Sequence, residues 1–144
     1  MTYTNKTQPT KIRPEVFLKQ QVSNNKDVQK DARVLMDIYS RATGSRCVMW
    51  HKIFGFGTYH YRDSRGGEHT HLMAGFALSA TGFTLYNLMG WEAYKKDLEK
   101  LGTYKISGKS CLALKRVADI NLKVLAKIIQ KSITDMKRVY VTEK

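Results

Sequence analysis

The chain has 144 residues, of which 42% are hydrophobic and 10% aromatic, the size of one ordinary domain with material for a core. Its formal net charge of +13 suits an anionic partner such as nucleic acid without naming one. No apolar run approaches the roughly 18 residues of a membrane span.

The start, MTYTNKTQPTKIR, is polar and lacks the apolar stretch of a signal peptide. Two cysteines, Cys47 and Cys111, are too few for a disulfide framework or a zinc site and read as buried thiols of a cytoplasmic protein. Residues 1–10 read as a loose tail, 11–140 as one domain and 141–144 as a second tail. Pro14 suits the first turn of a short helix, to which Val16, Phe17 and Leu18 give apolar mass. A second helix is expected over Asp27–Thr43, where Val28, Ala32, Leu35, Met36 and Tyr39 recur at helical spacing and Gly44 makes a stop.

From Met49 to Leu88 the period changes to two. GFGTYHY and HTHLMAGFAL read as strands around DSRGGE, and FTLYNL follows a turn at Ala80–Gly82. A helix is expected over Trp91–Leu101, with Ala93, Tyr94, Leu98 and Leu101 on its apolar side. CLALK reads as another strand. Asn121 then caps a long final helix striped by Leu122, Leu125, Ile129, Ile133 and Met136. The expected architecture is α+β: an antiparallel sheet of four or five strands, two N-terminal helices, one inserted helix and a long C-terminal helix packed on the sheet.

GTYKISGKS, Gly102–Ser110, ends like a phosphate-binding loop. That motif needs four residues between its first glycine and Gly-Lys-Ser/Thr, and it leads from a strand into a helix. Here the spacing is five and the order is helix to strand, so the segment reads as a connection.

Several stretches together resemble the YdhG-like domain-of-unknown-function family, within the superfamily that also groups YjbR-like and CyaY-like (frataxin-like) proteins. They are Val48-Met49-Trp50, Gly55-Phe56-Gly57-Thr58-Tyr59-His60-Tyr61, Gly75-Phe76, Thr84-Leu85-Tyr86, Leu101-Gly102 and Gly108-Lys109-Ser110-Cys111-Leu112, spread over residues 8 to 138. The resemblance implies an α+β fold with an antiparallel sheet between helices, and no established activity. Its frataxin-like grouping carries an iron-chaperone association tied to an acidic surface, which this basic chain does not share. His69 and His71 depart from the pattern, standing where the resemblance implies apolar or aromatic residues.

Three constellations carry candidate chemistry. If DSRGGE is the hairpin loop, a symmetric register pairs Arg62 with His69 and His60 with His71, putting His60, His69 and His71 on one face. Opposed β-carbons lie about 4.5–5.5 Å apart, close enough for imidazoles to share zinc, nickel or copper. The competing reading is a solvated polar sheet face, with no resident metal or other cofactor. Trp50, Tyr59, Lys105, Lys109 and Ser110 form a candidate ligand or anion site.

The charge balance is +5, +1 and +7 over residues 1–50, 51–100 and 101–144. Lys123, Lys127 and Lys131 recur at i, i+4, i+8 on the final helix, a row that would suit a phosphate backbone with weak, non-specific affinity; a solvated lysine face is the alternative. Enzyme chemistry finds no nucleophile elbow, metalloprotease helix or carboxylate pair, although a Cys47–His51 or Cys111–His dyad stays open. The leading expectation is a non-catalytic binding module for an anionic or macromolecular partner, monomeric or a small homo-oligomer, away from membranes. Metal handling and nucleic-acid binding are the alternatives.

Overall fold

The computed structural model describes residues 8–143; the tail expected over residues 1–7 and Lys144 lies outside them. Helix α1, Pro14–Gln21, has proline in its first turn and buries Phe17 and Leu18. Helix α2, Lys26–Thr43, is capped by Asn25, whose side chain accepts from Val28 N, and ends at left-handed Gly44. Helix α4, Leu122–Val139, is capped by Asn121, which accepts from Lys123 N and Val124 N. It buries Leu125, Ile128, Ile129, Ile133 and Met136, the expected stripe widened by Ile128; Leu122 is half-buried.

The sheet is antiparallel throughout and holds seven strands rather than four or five. They are β1 (Cys47–Trp50), β2 (Ile53–Arg62), β3 (Glu68–Ser79), β4 (Gly82–Asn87), β5 (Lys105–Ser107), β6 (Cys111–Leu114) and β7 (Val141–Glu143). The order is β1-β2-β3-β4-β6-β5, with β7 also on β2. The strands beyond the expected set have three or four residues each, too short to display a period of two. Helices α2 and α4 pack on each other and on β3, and α2 also reaches β2. Between them lies an aromatic core in which Phe76 stacks on Phe54 at 4.7 Å and Tyr39 stacks on Phe56 at 5.4 Å.

The described parts of both segments expected as tails make backbone contacts with the sheet. Thr10 N donates to Met49 O at 2.7 Å and Pro9 bridges Trp50, so this segment lines β1. Residues 141–143 form β7, paired with Thr58–His60 of β2. Because β3 occupies one edge of β2 along its length, β1 and β7 share the other, β1 against 53–56 and β7 against 58–60. Gly57 sits at this junction with φ 70°, and a β-carbon there would meet Met73 Sδ at 2.9 Å and Glu143 O at 3.3 Å. Left-handed backbone and tight surroundings both call for glycine.

The inserted helix expected over 91–101 shrinks to one α-turn, α3 (Lys95–Leu98), after a 3-10 turn at Glu92–Tyr94. Ala93, expected on its apolar side, is exposed, while Trp91 is fully buried and donates Nε1–H to Ser110 O at 2.9 Å. That bond ties the stretch to the β5–β6 hairpin. An ion pair between buried Asp31 and exposed Arg116 holds α2 to the segment before α4: Asp31 accepts from Arg116 Nε at 2.6 Å and from Val117 N at 3.3 Å. Among the described residues no helix is long and apolar enough to cross a membrane.

Candidate functional site

The histidine cluster expected from a symmetric hairpin is not assembled. Arg62 pairs with Glu68, Tyr61 with His69, His60 with Thr70 and Tyr59 with His71, one residue away from the expected register. Asp63 causes the shift. Its Oδ1 accepts from Arg65 N and Gly67 N, both at 2.9 Å, which closes the loop over five residues and draws Glu68 into the strand opposite Arg62. A one-residue slip moves a strand's side chains to the other face. His69 and His71 therefore share a face with Tyr61 and Tyr59, while His60 lies on the opposite one.

Each histidine has its own engagement. His60 Nε2–H donates to Glu143 and its Nδ1 meets the Thr70 hydroxyl, both at 2.7 Å, which fastens β7 to the hairpin. His69 stacks on Tyr61 at 4.9 Å and donates to Asp63 Oδ2 at 2.7 Å. That bond is the main cause holding the Asp63 carboxyl below its ordinary pKa. His71 lies between Trp50 and Tyr59, at 5.9 and 6.1 Å, and donates Nδ1–H to Leu72 O. Among the described residues no three His, Cys, Asp or Glu side chains are grouped to hold a metal.

Burial pushes His71 below the ordinary histidine value, outweighing its hydrogen bond. A base whose folded pKa is depressed leaves the unfolded chain holding more protons just below pH 6.5. Stability is therefore fully present above that pH and falls as acid is added through the folded value. Between about pH 7.5 and pH 5 the thermal midpoint should drop, and His71→Gln, which keeps a donor for Leu72 O, should lose part of that drop. Identical pH profiles for the two proteins would show that His71 titrates alike in both states.

The second constellation is split across the sheet. Trp50 and Tyr59 are buried, Tyr59 against Tyr61 and Tyr140, so neither offers a stacking platform. Lys105, Lys109 and Ser110 belong to the β5–β6 hairpin at the other edge, beyond β4. Gly108, φ 66°, makes its turn. Trp91 N donates to Lys109 O and Asn87 N to Ser110 O, so this backbone is spent on architecture and no helix N-terminus follows. Cys47 and His51 lie at opposite ends of β1 and its turn, about 13 Å apart along a strand. Burial pushes the Cys47 thiol up to about 12, which leaves little thiolate for nucleophilic chemistry at neutral pH.

Lys123, Lys127 and Lys131 are exposed on α4, but two of them converge on one carboxylate. Asp97 of α3 takes Lys131 Nζ at 2.6 Å and Lys127 Nζ at 3.5 Å, and the Lys131 hydrogen bond is the main cause holding its pKa down. One acid shared by two ammoniums leaves a net positive charge.

Helix α4 is a ridge with a groove on each side. The groove towards α3, about 650 Å³, adds Lys95, Lys96 and Arg138 to this pair of lysines. The groove towards α2, about 610 Å³, is rimmed by Lys30, Arg33, Arg41 and Lys123, and Gln130 lines both. Carboxylates line both grooves as well: Glu92 and Asp135 stand in the α3 groove, Asp135 3.7 Å from Arg138, and at the α2 groove Arg33 holds Glu15 and Arg41 holds Asp37. Among the described residues Lys30, Lys95, Lys96 and Lys123 make no ion pair. Lys30, Lys95, Lys96 and Asp97 escaped the sequence reading because only tertiary packing places them beside α4.

No family model, curated protein or solved structure matches this chain.

Proposed function

We propose that this protein is a non-catalytic binding module for a polyanionic macromolecule, with a nucleic-acid backbone as the ligand chemistry. The observation that carries this reading is the α4 ridge between two grooves in which cations outnumber carboxylates. Phosphates along a backbone would meet Lys123, Lys127 and Lys131 in series and release condensed counterions. Contacts to a phosphate backbone carry no sequence information, so the affinity is modest and independent of sequence. The two free thiols suit the cytoplasmic setting that forms part of the proposal. Membership of the YdhG-like family is proposed on the sequence stretches that carry the resemblance, and the α+β arrangement of helices around an antiparallel sheet supports it.

The test is the salt dependence of binding to a labelled DNA duplex, followed by fluorescence anisotropy. Neutralising about four to six phosphates gives a log–log slope of roughly −3.5 to −5.5. Duplexes of different sequence should give the same curve. If the protein at tens of micromolar leaves DNA and RNA unshifted in about 50 mM salt, a condition that favours counterion release, the reading fails.

A further inference from the structure

We propose that the groove between α2 and α4 is a docking site for an acidic amphipathic helix of another protein. Its floor is apolar: Val34, Ile38 and Ala42 recur at i, i+4, i+8 on α2, and Leu122 and Ala126 at i, i+4 on α4. Eight residues of helix rise about 12 Å, so the α2 row makes a straight trough about two turns long. Each of these side chains is half-buried, and most pack with one side on the core. An open trough of this length matches the helix-in-groove mode of recognition, in which anchors at i, i+3 or i+4, and i+7 seat in an apolar channel.

The rim states the charge of the occupant. Arg33 and Arg41 already hold Glu15 and Asp37. Lys30 on the α2 wall and Lys123 on the α4 wall make no ion pair among the described residues, so each wall keeps a cation for a carboxylate. A second copy of this chain would bring like charge, since α4 carries five Lys and Arg to a single Asp. Nucleic acid would meet the rim and leave the apolar floor uncovered. An acidic helix with an apolar stripe satisfies both.

The test uses a labelled peptide of about four turns, with leucines at those anchor positions and glutamates elsewhere, a scrambled peptide of the same composition, and a DNA duplex. The amphipathic peptide should bind saturably in the micromolar range and the scrambled one at least about tenfold more weakly, as expected when an apolar stripe adds to charge. Two variants divide charge from shape. The double change Lys30→Glu and Lys123→Glu should cost about tenfold in peptide affinity. Ala126→Arg adds a cation but fills the floor, so it should abolish peptide binding while leaving DNA binding undiminished; a thermal melt checks its folding.

Equal affinity for the scrambled peptide, or stronger peptide binding by Ala126→Arg, would show that charge alone acts and would overturn the proposal. Failure of the amphipathic peptide to bind would do the same. Peptide binding without DNA binding would sink the polyanion reading and leave this one standing.

Discussion

Phe76→Ala should lower folding stability by about 3–5 kcal/mol, the cost of deleting a buried phenylalanine and leaving a cavity. Phe76 is fully buried on β3 and stands at the crossing of four rings. It stacks on Phe54 at 4.7 Å, meets Tyr39 at 5.6 Å and Phe83 edge-on at 6.2 Å, and lies 6.4 Å from Phe56. These partners come from α2 and from strands on both sides of β3, so relaxation from one direction cannot fill the void. Against a total stability of about 5–15 kcal/mol, the variant would be marginal or unfolded at 37 °C, a temperature above the usual optimum of stability.

Urea denaturation checks this. With a slope of about 2 kcal/mol/M, the midpoint should fall by roughly 2 M. Phe76→Leu should lose less than about 1.5 kcal/mol, because volume is nearly kept. A loss below about 1 kcal/mol for alanine would place the centre of the core elsewhere.

The second large effect is on binding. Replacing Lys123, Lys127 and Lys131 together with glutamine should flatten the salt slope on duplex DNA by about two to three units and cost roughly 10²–10³ in affinity at low salt. None of the three is part of the buried stripe of α4, so folding should survive. Asp97→Asn should act in the opposite sense. It removes the carboxylate that holds Lys127 and Lys131 and frees both ammoniums for phosphate. An exposed charge contact in water is worth about 1 kcal/mol, so affinity should rise about fivefold.

Because Asp97 and the lysines are neighbours, the effects should not add: in the glutamine triple variant the Asp97 change should gain much less. If Asp97→Asn weakens binding, the carboxylate is positioning the lysines instead of competing for them. An unchanged salt slope in the triple variant would move the phosphate contacts off α4.

Elements long enough to repeat a pattern were legible in the amino-acid order. Helices α2 and α4 show three or more turns of apolar spacing, α4 behind its Asn121 cap, and β2 and β3 run for ten and twelve residues. Local chemistry therefore determined the α+β class, the single long C-terminal helix and the failure of Gly102–Ser110 as a phosphate loop. β1, β5 and β7 have three or four residues and exist because a neighbouring strand offers hydrogen-bonding groups, which no local pattern announces.

The hairpin register turned on one side chain. Asp63 capturing two backbone N–H groups outweighed loop symmetry, and this moved His60 away from His69 and His71. The basic surface was legible in part: the lysine row on α4 follows from i, i+4 spacing alone. Its neutralisation by Asp97, its extension by Lys95, Lys96 and Lys30, and the apolar trough beside it join residues up to about a hundred positions apart in the chain. Helix periodicity fixes which side of α4 faces outward, but which charges meet it there depends on how α2 and α3 pack against it, and only tertiary packing sets that.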